Sequence, residues 1–373
     1  MKYNLIASFT LIRSFRKLFF LLIGGICTSL SGWTQSPKEV PQAVMEQIYQ
    51  VIKTPYKYGV VLPAPREGTM VDSPTIFRNK GKWWMTYIVF DGKGYETWIA
   101  QSKNLLEWKT LGKVMSFTEN DWDATQKAGY VALVDPKWGG TYKVKKFRKQ
   151  YWASYLGGAK EGYEAGQLGI GMATAKDITK AVEWNRRSQP VLSASDQDAR
   201  WYDNETIYKS LVIHDKERHT GYPFVMYYNA KGKQKDAKGN GFESIAMAGS
   251  HDMVQWTRLG EDPLITRHTG ICGDAQIAKI NNIYVMFYFG AFWKPGAFER
   301  FACSYDLVHW TDWEGDDLIA PTEPYDETYA HKPWVIKWKG VVYHFYNAVG
   351  QQGRVIALAT SKDLRKVGKY ILR

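Results

Sequence analysis

The chain has 373 residues, with 49 Lys+Arg against 37 Asp+Glu, 45% hydrophobic and 15% aromatic side chains. That length buries a large core, as one big domain or two to three ordinary ones, and the aromatic load with 23% charge excludes a disordered polymer. Past the first residues no run of about 18 apolar side chains occurs, which excludes a spanning helix in the body of the chain.

Residues 1–34 open with Lys2, Arg13, Arg16 and Lys17 and no acid, followed by the apolar run Leu18-Phe-Phe-Leu-Leu-Ile-Gly-Gly-Ile. A charged region, a short apolar region and then small and polar residues predict a secretory signal, and so an exported protein, periplasmic or extracellular. The apolar run is short for a membrane anchor, and Cys27 after Gly-Gly-Ile makes a poor lipidation box, so no stable membrane insertion is expected. Taking those four cations from the net +12 leaves +8, scattered except for a run at Lys143 to Lys149, so nucleic acid is not the expected partner. Oligomeric state has no signature. Only Cys272 and Cys303 follow the leader, and they read as two buried thiols rather than a disulfide framework.

Residues 35–65 form an N-terminal extension, in which Val44, Ile48, Tyr49 and Ile52 stand at helical spacing before Pro55. This predicts a short helix packed on the domain that follows.

From residue 66 to 373 one phrase recurs five times: Ser102-Lys-Asn-Leu-Leu-Glu-Trp, Ala175-Lys-Asp-Ile, Ser250-His-Asp-Met-Val-Gln-Trp, Ser304-Tyr-Asp-Leu-Val-His-Trp and Ser361-Lys-Asp-Leu. Each follows an alternating apolar stretch such as Ile245-Ala-Met-Ala, and each reads as a polar turn between strands. Upstream of each lies an aromatic strand, as in Trp83-Trp-Met-Thr-Tyr-Ile-Val, and ahead of that another strand, with Asn79-Lys-Gly marking a hairpin. Every unit is therefore three or four antiparallel strands over about 60 residues. Fivefold recurrence predicts an all-β, five-bladed β-propeller, where a jelly roll or sandwich would not repeat five times. A second repeat, Gly94-Tyr-Glu96, Gly162-Tyr-Glu164, Gly241-Phe-Glu243 and Ala297-Phe-Glu299, breaks in the fifth unit at Gly353-Arg-Val. It fits either a rim turn or the binding of substrate hydroxyls, the latter drawing attention to Glu96 and Glu164.

In a propeller the starts of the innermost strands gather on one face, so polar residues there converge whatever their separation in sequence. Those starts read Asp72-Ser-Pro, Asp203-Asn-Glu205, Gly273-Asp274 and His331-Lys332. Unit two is out of step: Val134-Asp135-Pro is the obvious start, yet Trp152 lies 17 residues past Asp135 where Trp84 lies 12 past Asp72. Acids in such a channel are costly to desolvate unless paired or used, and two carboxyls that straddle a glycosidic bond are the simplest use. There is no phosphate loop, no Gly-x-Ser-x-Gly elbow and no Cys/His pair with zinc spacing, so no metal ligand set is expected.

The starts Asp72-Ser-Pro, Asp135-Pro and Asp203-Asn-Glu205, on five repeats behind an export signal, resemble the five-bladed propeller glycosidases, nearest to glycoside hydrolase family 43. The resemblance covers roughly residues 61–373. It implies inverting hydrolysis with no required cofactor, Asp72 as general base, Asp135 as the residue that tunes the acid and Glu205 as general acid. It also implies that His331 matches a channel histidine that in some relatives holds a structural calcium ion or a water. Blade one carries Asp-Ser-Pro where Asp-Pro is usual, and Asp203 stands two residues from Glu205, on the same face of a strand. Asp203, Asp274, His331, Lys332, Glu96 and Glu164 complete the expected substrate-binding set. The expected activity is exo-acting removal of a terminal arabinofuranosyl-, xylosyl- or galactosyl-type sugar from an oligo- or polysaccharide, with specificity set by the loops 231–240 and 292–299. The alternatives are a phosphorylase, with Lys332 and Arg300 as the phosphate-binding cations, and a non-catalytic carbohydrate-binding propeller.

Overall fold

The computed structural model describes residues 39–365. The leader, and with it the export signal, lies outside the described residues. The extension forms the helix Gln42–Ile52, which buries Met45, Ile48 and Ile52 against Val285, Phe287 and Phe301 of the β-structure. It is a packing element, as its spacing predicts, and no helix among the described residues is long and apolar enough to cross a membrane. Strands, turns and loops make up nearly all the rest of the described residues.

Strand pairing resolves into antiparallel meanders, each of an inner, a second and a third strand. They run Met70–Asn79, Lys82–Phe90 and Tyr95–Ser102; Gln126–Val131, Tyr151–Gly158 and Leu168–Ala175; Thr206–His214, Phe224–Lys235 and Gly241–Ser250; Ile271–Ile280, Ile283–Ala291 and Ala297–Ser304; and Tyr329–Trp338, Val341–Gly350 and Gly353–Thr360. Short fourth strands flank the first four on the outside. The last is completed by Tyr56–Leu62, from the extension, which pairs antiparallel with Gly353–Thr360. The first-to-second-strand turn of the first meander is the predicted one, with Lys80 and Gly81 both at positive φ (48° and 78°) between Asn79 and Lys82.

The repeated phrase is a repeated turn. Ser102, Ser250 and Ser304 accept backbone N–H groups from Leu105, Met253 and Leu307, while Asn104, Asp252 and Asp306 accept those of the following residues. In each copy the apolar residue sits at positive φ (70°, 66° and 67°) and is fully buried. These hydrogen bonds offset the backbone strain, and the apolar side chain pins the turn into the core.

Second strands are buried on both faces, because neighbouring meanders pack face to face; Ile283–Ala291 is buried along its whole length. Phe77 and Ile99 of the first meander meet Val131 and Tyr155 of the second, and Ile170 and Met172 of the second meet Val212 and Met226 of the third. Cys272 and Cys303 are both buried free thiols, pushed above the ordinary thiol range by burial.

Candidate active site

The inner strands break register at the same place in four meanders. Between Asp72 and Thr75, Ile207 and Ser210, Gly273 and Gln276, and His331 and Trp334, three steps along the inner strand match two on its partner. Ser73, Asp274 and Lys332 stand at the extra positions with positive φ (43°, 58° and 62°). A regular strand sends adjacent side chains to opposite faces; a bulge lets both aim the same way. So Asp72 and Ser73, Tyr208 and Lys209, and His331 and Lys332 line one cavity of about 260 Å³ together with Asp274. The second meander has no bulge and sends the alternate residues Ala128 and Tyr130. Glu164, Glu243, Tyr95, Asn229 and Arg354 complete the polar wall.

Ion pairs organise this wall. Lys332 Nζ and Arg354 donate to Asp72 Oδ2 at 3.0 and 2.7 Å. Lys209 Nζ lies 3.2 Å from Asp274 Oδ2, and Asn229 donates to Asp274 Oδ1 at 2.8 Å. Ser73 Oγ lies 3.2 Å from both Asp72 Oδ1 and Asp274 Oδ2, joining the two clusters. Glu164, in the loop between Gly158 and Leu168 at φ 48°, accepts the Tyr95 hydroxyl at 3.2 Å.

Of the expected site residues, Asp72, Asp274, His331, Lys332 and Glu164 come together here, and the other four do not. Asp135 follows the inner strand of its meander instead of opening it, since that strand is Gln126–Val131 and residues 132–150 are an inserted connector. This accounts for the misfit in spacing. Its carboxylate accepts the backbone N–H and hydroxyl of Thr141 in a separate cavity with His214, Lys279 and Tyr284, at the other end of the inner strands. Asp203 and Glu205 precede the third inner strand, whose cavity residues are Tyr208 and Lys209. Asp203 is fully buried and accepts Arg258 Nε at 2.7 Å, Tyr228 Oη at 2.8 Å and Arg200 N–H at 2.6 Å, a structural knot. Glu205 pairs with Lys231 at 2.9 Å and Lys235 at 3.4 Å outside the cavity, and those hydrogen bonds hold its carboxyl below the usual range. Glu96 is buried against Lys113 and Ser116. Of the other Glu repeats, Glu299 is buried against His344, and Glu243 faces the cavity. Lys209, Tyr208, Asn229 and Arg354 are not among the expected residues; the one signal in the sequence is Arg354, which takes the aromatic position of the repeat in the fifth unit, next to Val355 at the Glu position.

No family model and no curated protein matches the chain. Among solved structures, one described as a glycoside hydrolase and one described as a complex of BT0996 and RGII are each 47% identical with TM-score 0.84. The alignments cover 87% of this chain and 96% and 97% of theirs. The protein belongs to the glycoside hydrolases. A thermostable family-43 glycoside hydrolase (14% identity, TM-score 0.57, 81% of this chain and 91% of that one) shares its propeller-like fold. So does an endo-arabinase from Bacteroides thetaiotaomicron (14%, 0.55, 80% and 96%).

A glycosidase needs one carboxyl that keeps its proton and one that has lost it, and the cavity sorts its four acids accordingly. Burial would raise Asp72, but Lys332 and Arg354 outweigh it and hold the carboxyl well below the carboxylate range. Asp274 is likewise lowered, Lys209 and Lys332 overcoming burial. Glu243 is pushed up to about 8 by burial first and then by the charge of Glu164. Glu164 is raised by burial, with Lys332 only partly opposing. Burial, with Arg354 and Lys332 close by, drives His331 down to about 3, so its imidazole is neutral. A calcium ion does not fit at His331, because the ammonium and guanidinium beside it already neutralise Asp72. Of the two cations expected for a phosphorylase's phosphate, Lys332 lines the cavity, whereas Arg300 donates to Asp317 and to the Trp313 carbonyl and does not line it.

Proposed function

We propose that this glycosidase is an exported, exo-acting hydrolase on a five-bladed propeller, with Glu243 as general acid and Glu164 as the carboxylate that activates water. Five meanders that each send inner-strand residues to one cavity support the propeller reading, and the closing strand Tyr56–Leu62 supports a ring sealed by both chain ends. The observation that carries the mechanism is the separation of four acids in one cavity into two locked as carboxylates and two with raised affinity for protons. Asp72 and Asp274, each tied to cations, are poor bases; they position Lys332, Arg354 and Lys209 around the sugar. Glu164 and Glu243 repel each other, so the pair releases its first proton well before its second. The proton held last, on Glu243 up to about pH 8, is the one the acid gives, and Glu164 is the base. The acid protonates the departing oxygen while the base takes a proton from the water that attacks the anomeric carbon, so the product is inverted.

A cavity of about 260 Å³ has room for a terminal sugar ring rather than a polymer chain, which supports exo action. The sugar is of the arabinofuranosyl, xylosyl or galactosyl kind, and RGII, named in the complex of a relative 47% identical, is the first source of substrate to try. The test is Glu243→Gln and Glu164→Gln on an RGII oligosaccharide and on aryl glycosides with leaving groups of graded acidity. Glu243→Gln should lose about 10²- to 10⁴-fold on the oligosaccharide and progressively less as the leaving group improves. Glu164→Gln should lose as much on every substrate. Equal losses for Glu243→Gln across the series would remove it as the acid.

A further inference from the structure

A second cavity, of about 350 Å³, adjoins the first, and the two share Glu243, Ile271 and Phe292. Its other walls come from Lys231 to Gly241 and from Thr269 and Gly270. We infer that this second cavity is the subsite for the leaving saccharide, with Phe292 as the platform on which its first ring stacks. The inference rests on the proposed role of Glu243: the general acid must stand between the ring that stays and the oxygen that departs, and Glu243 is the carboxyl common to both cavities.

Phe292 is 62% exposed, the most exposed of the large apolar side chains among the described residues, and it stands at positive φ (66°) at the end of a second strand. Its ring meets Tyr329 edge-on at 6.1 Å, which leaves a face free. An exposed aromatic held by strained backbone at the mouth of an acid-bearing cavity contributes nothing to the core, whereas a sugar ring laid on it covers apolar surface.

The opposite wall is rigid. The hairpin pairs Lys231 with Glu243 and Lys235 with Gly241. At its tip Asp236 Oδ1 accepts the N–H groups of Lys238 and Asn240 at 2.9 and 2.8 Å, and Thr269 donates to Asp236 Oδ2 at 2.9 Å. Glu205 ties down Lys231 and Lys235 at the base. That leaves the Lys238 ammonium, which has no ion pair among the described residues, to meet the hydroxyls of the leaving saccharide.

The experiment compares wild type, Phe292→Ala and Phe292→Trp on an RGII oligosaccharide and on the glycosyl fluoride of whichever sugar is released, each anomer in turn. Fluoride is a one-atom leaving group and cannot reach the second cavity. The ratio of kcat/KM for oligosaccharide over fluoride should fall about ten-fold or more in Phe292→Ala and return in Phe292→Trp. A ratio unchanged in Phe292→Ala overturns the subsite. Wild type that releases no sugar from either substrate overturns the hydrolytic reading, and the subsite with it.

Discussion

At the scale of the residue, burial and nearby cations push the cavity's four carboxyls in opposite directions, Asp72 and Asp274 down and Glu164 and Glu243 up. Asp72 is 3% exposed and carries two cations, so its charge is a fixture of the folded chain. Asp72→Ala would strand Lys332 and Arg354 in a buried site, and urea unfolding should show a loss of about 3 kcal/mol. Glu243 gives the opposite expectation. Because the acid must carry its proton, kcat/KM should fall as pH rises through about 8, and should fall on the acid side as Glu164 takes up its own proton. The limbs of that profile belong to the pair. Glu205 precedes the third inner strand and pairs with Lys231 and Lys235 outside the cavity, so Glu205→Gln should cost less than about ten-fold in kcat/KM and leave the pH profile in place. A loss equal to that of Glu243→Gln would return the acid to residue 205.

At the scale of the element, the recurrence was legible because it is written in side chains that make the turns. Ser250 and Asp252 repeat as Ser304 and Asp306 because both bond the backbone in the same way. Asp252→Ala, which removes bonds at 2.9 and 2.8 Å to Val254 and Gln255, should cost about 1–2 kcal/mol in urea unfolding with the cavity intact. The bulges were not legible, since Ser73, Asp274 and Lys332 share a backbone conformation but no residue type. A bulge shifts register by one residue without changing the hydrophobic count, so Tyr208 and Lys209 were passed over for the more acidic Asp203 and Glu205 just upstream. Asp135 misled for another reason. The Asp-Pro pair reads as a strand start, yet it lies inside the connector 132–150, which no periodicity marks.

At the scale of the whole molecule, chain ends far apart in sequence meet in one sheet. Tyr56–Leu62 covers the edge of Gly353–Thr360, and without it Ile356 to Leu358 would present an open apolar edge. A chain that begins at Pro63 should lose cooperative unfolding and aggregate, while one that begins at Glu39, which keeps both the strand and the helix Gln42–Ile52, should not; light scattering with thermal unfolding checks both. The convergence of the inner strands lets residues 72, 164, 243 and 274 share one cavity, and for that reason scattered acids pointed to a glycoside hydrolase although Asp135, Asp203 and Glu205 lie outside that cavity.

Infrared difference spectroscopy of the carboxyl region, wild type minus Glu243→Gln, reads the proton on Glu243 itself. A protonated carboxyl band should be present at neutral pH, vanish in the variant and bleach in wild type as pH rises through about 8. If the difference spectrum showed only carboxylate bands at neutral pH, Glu243 would hold no proton to give, and the acid would have to be sought elsewhere in the cavity.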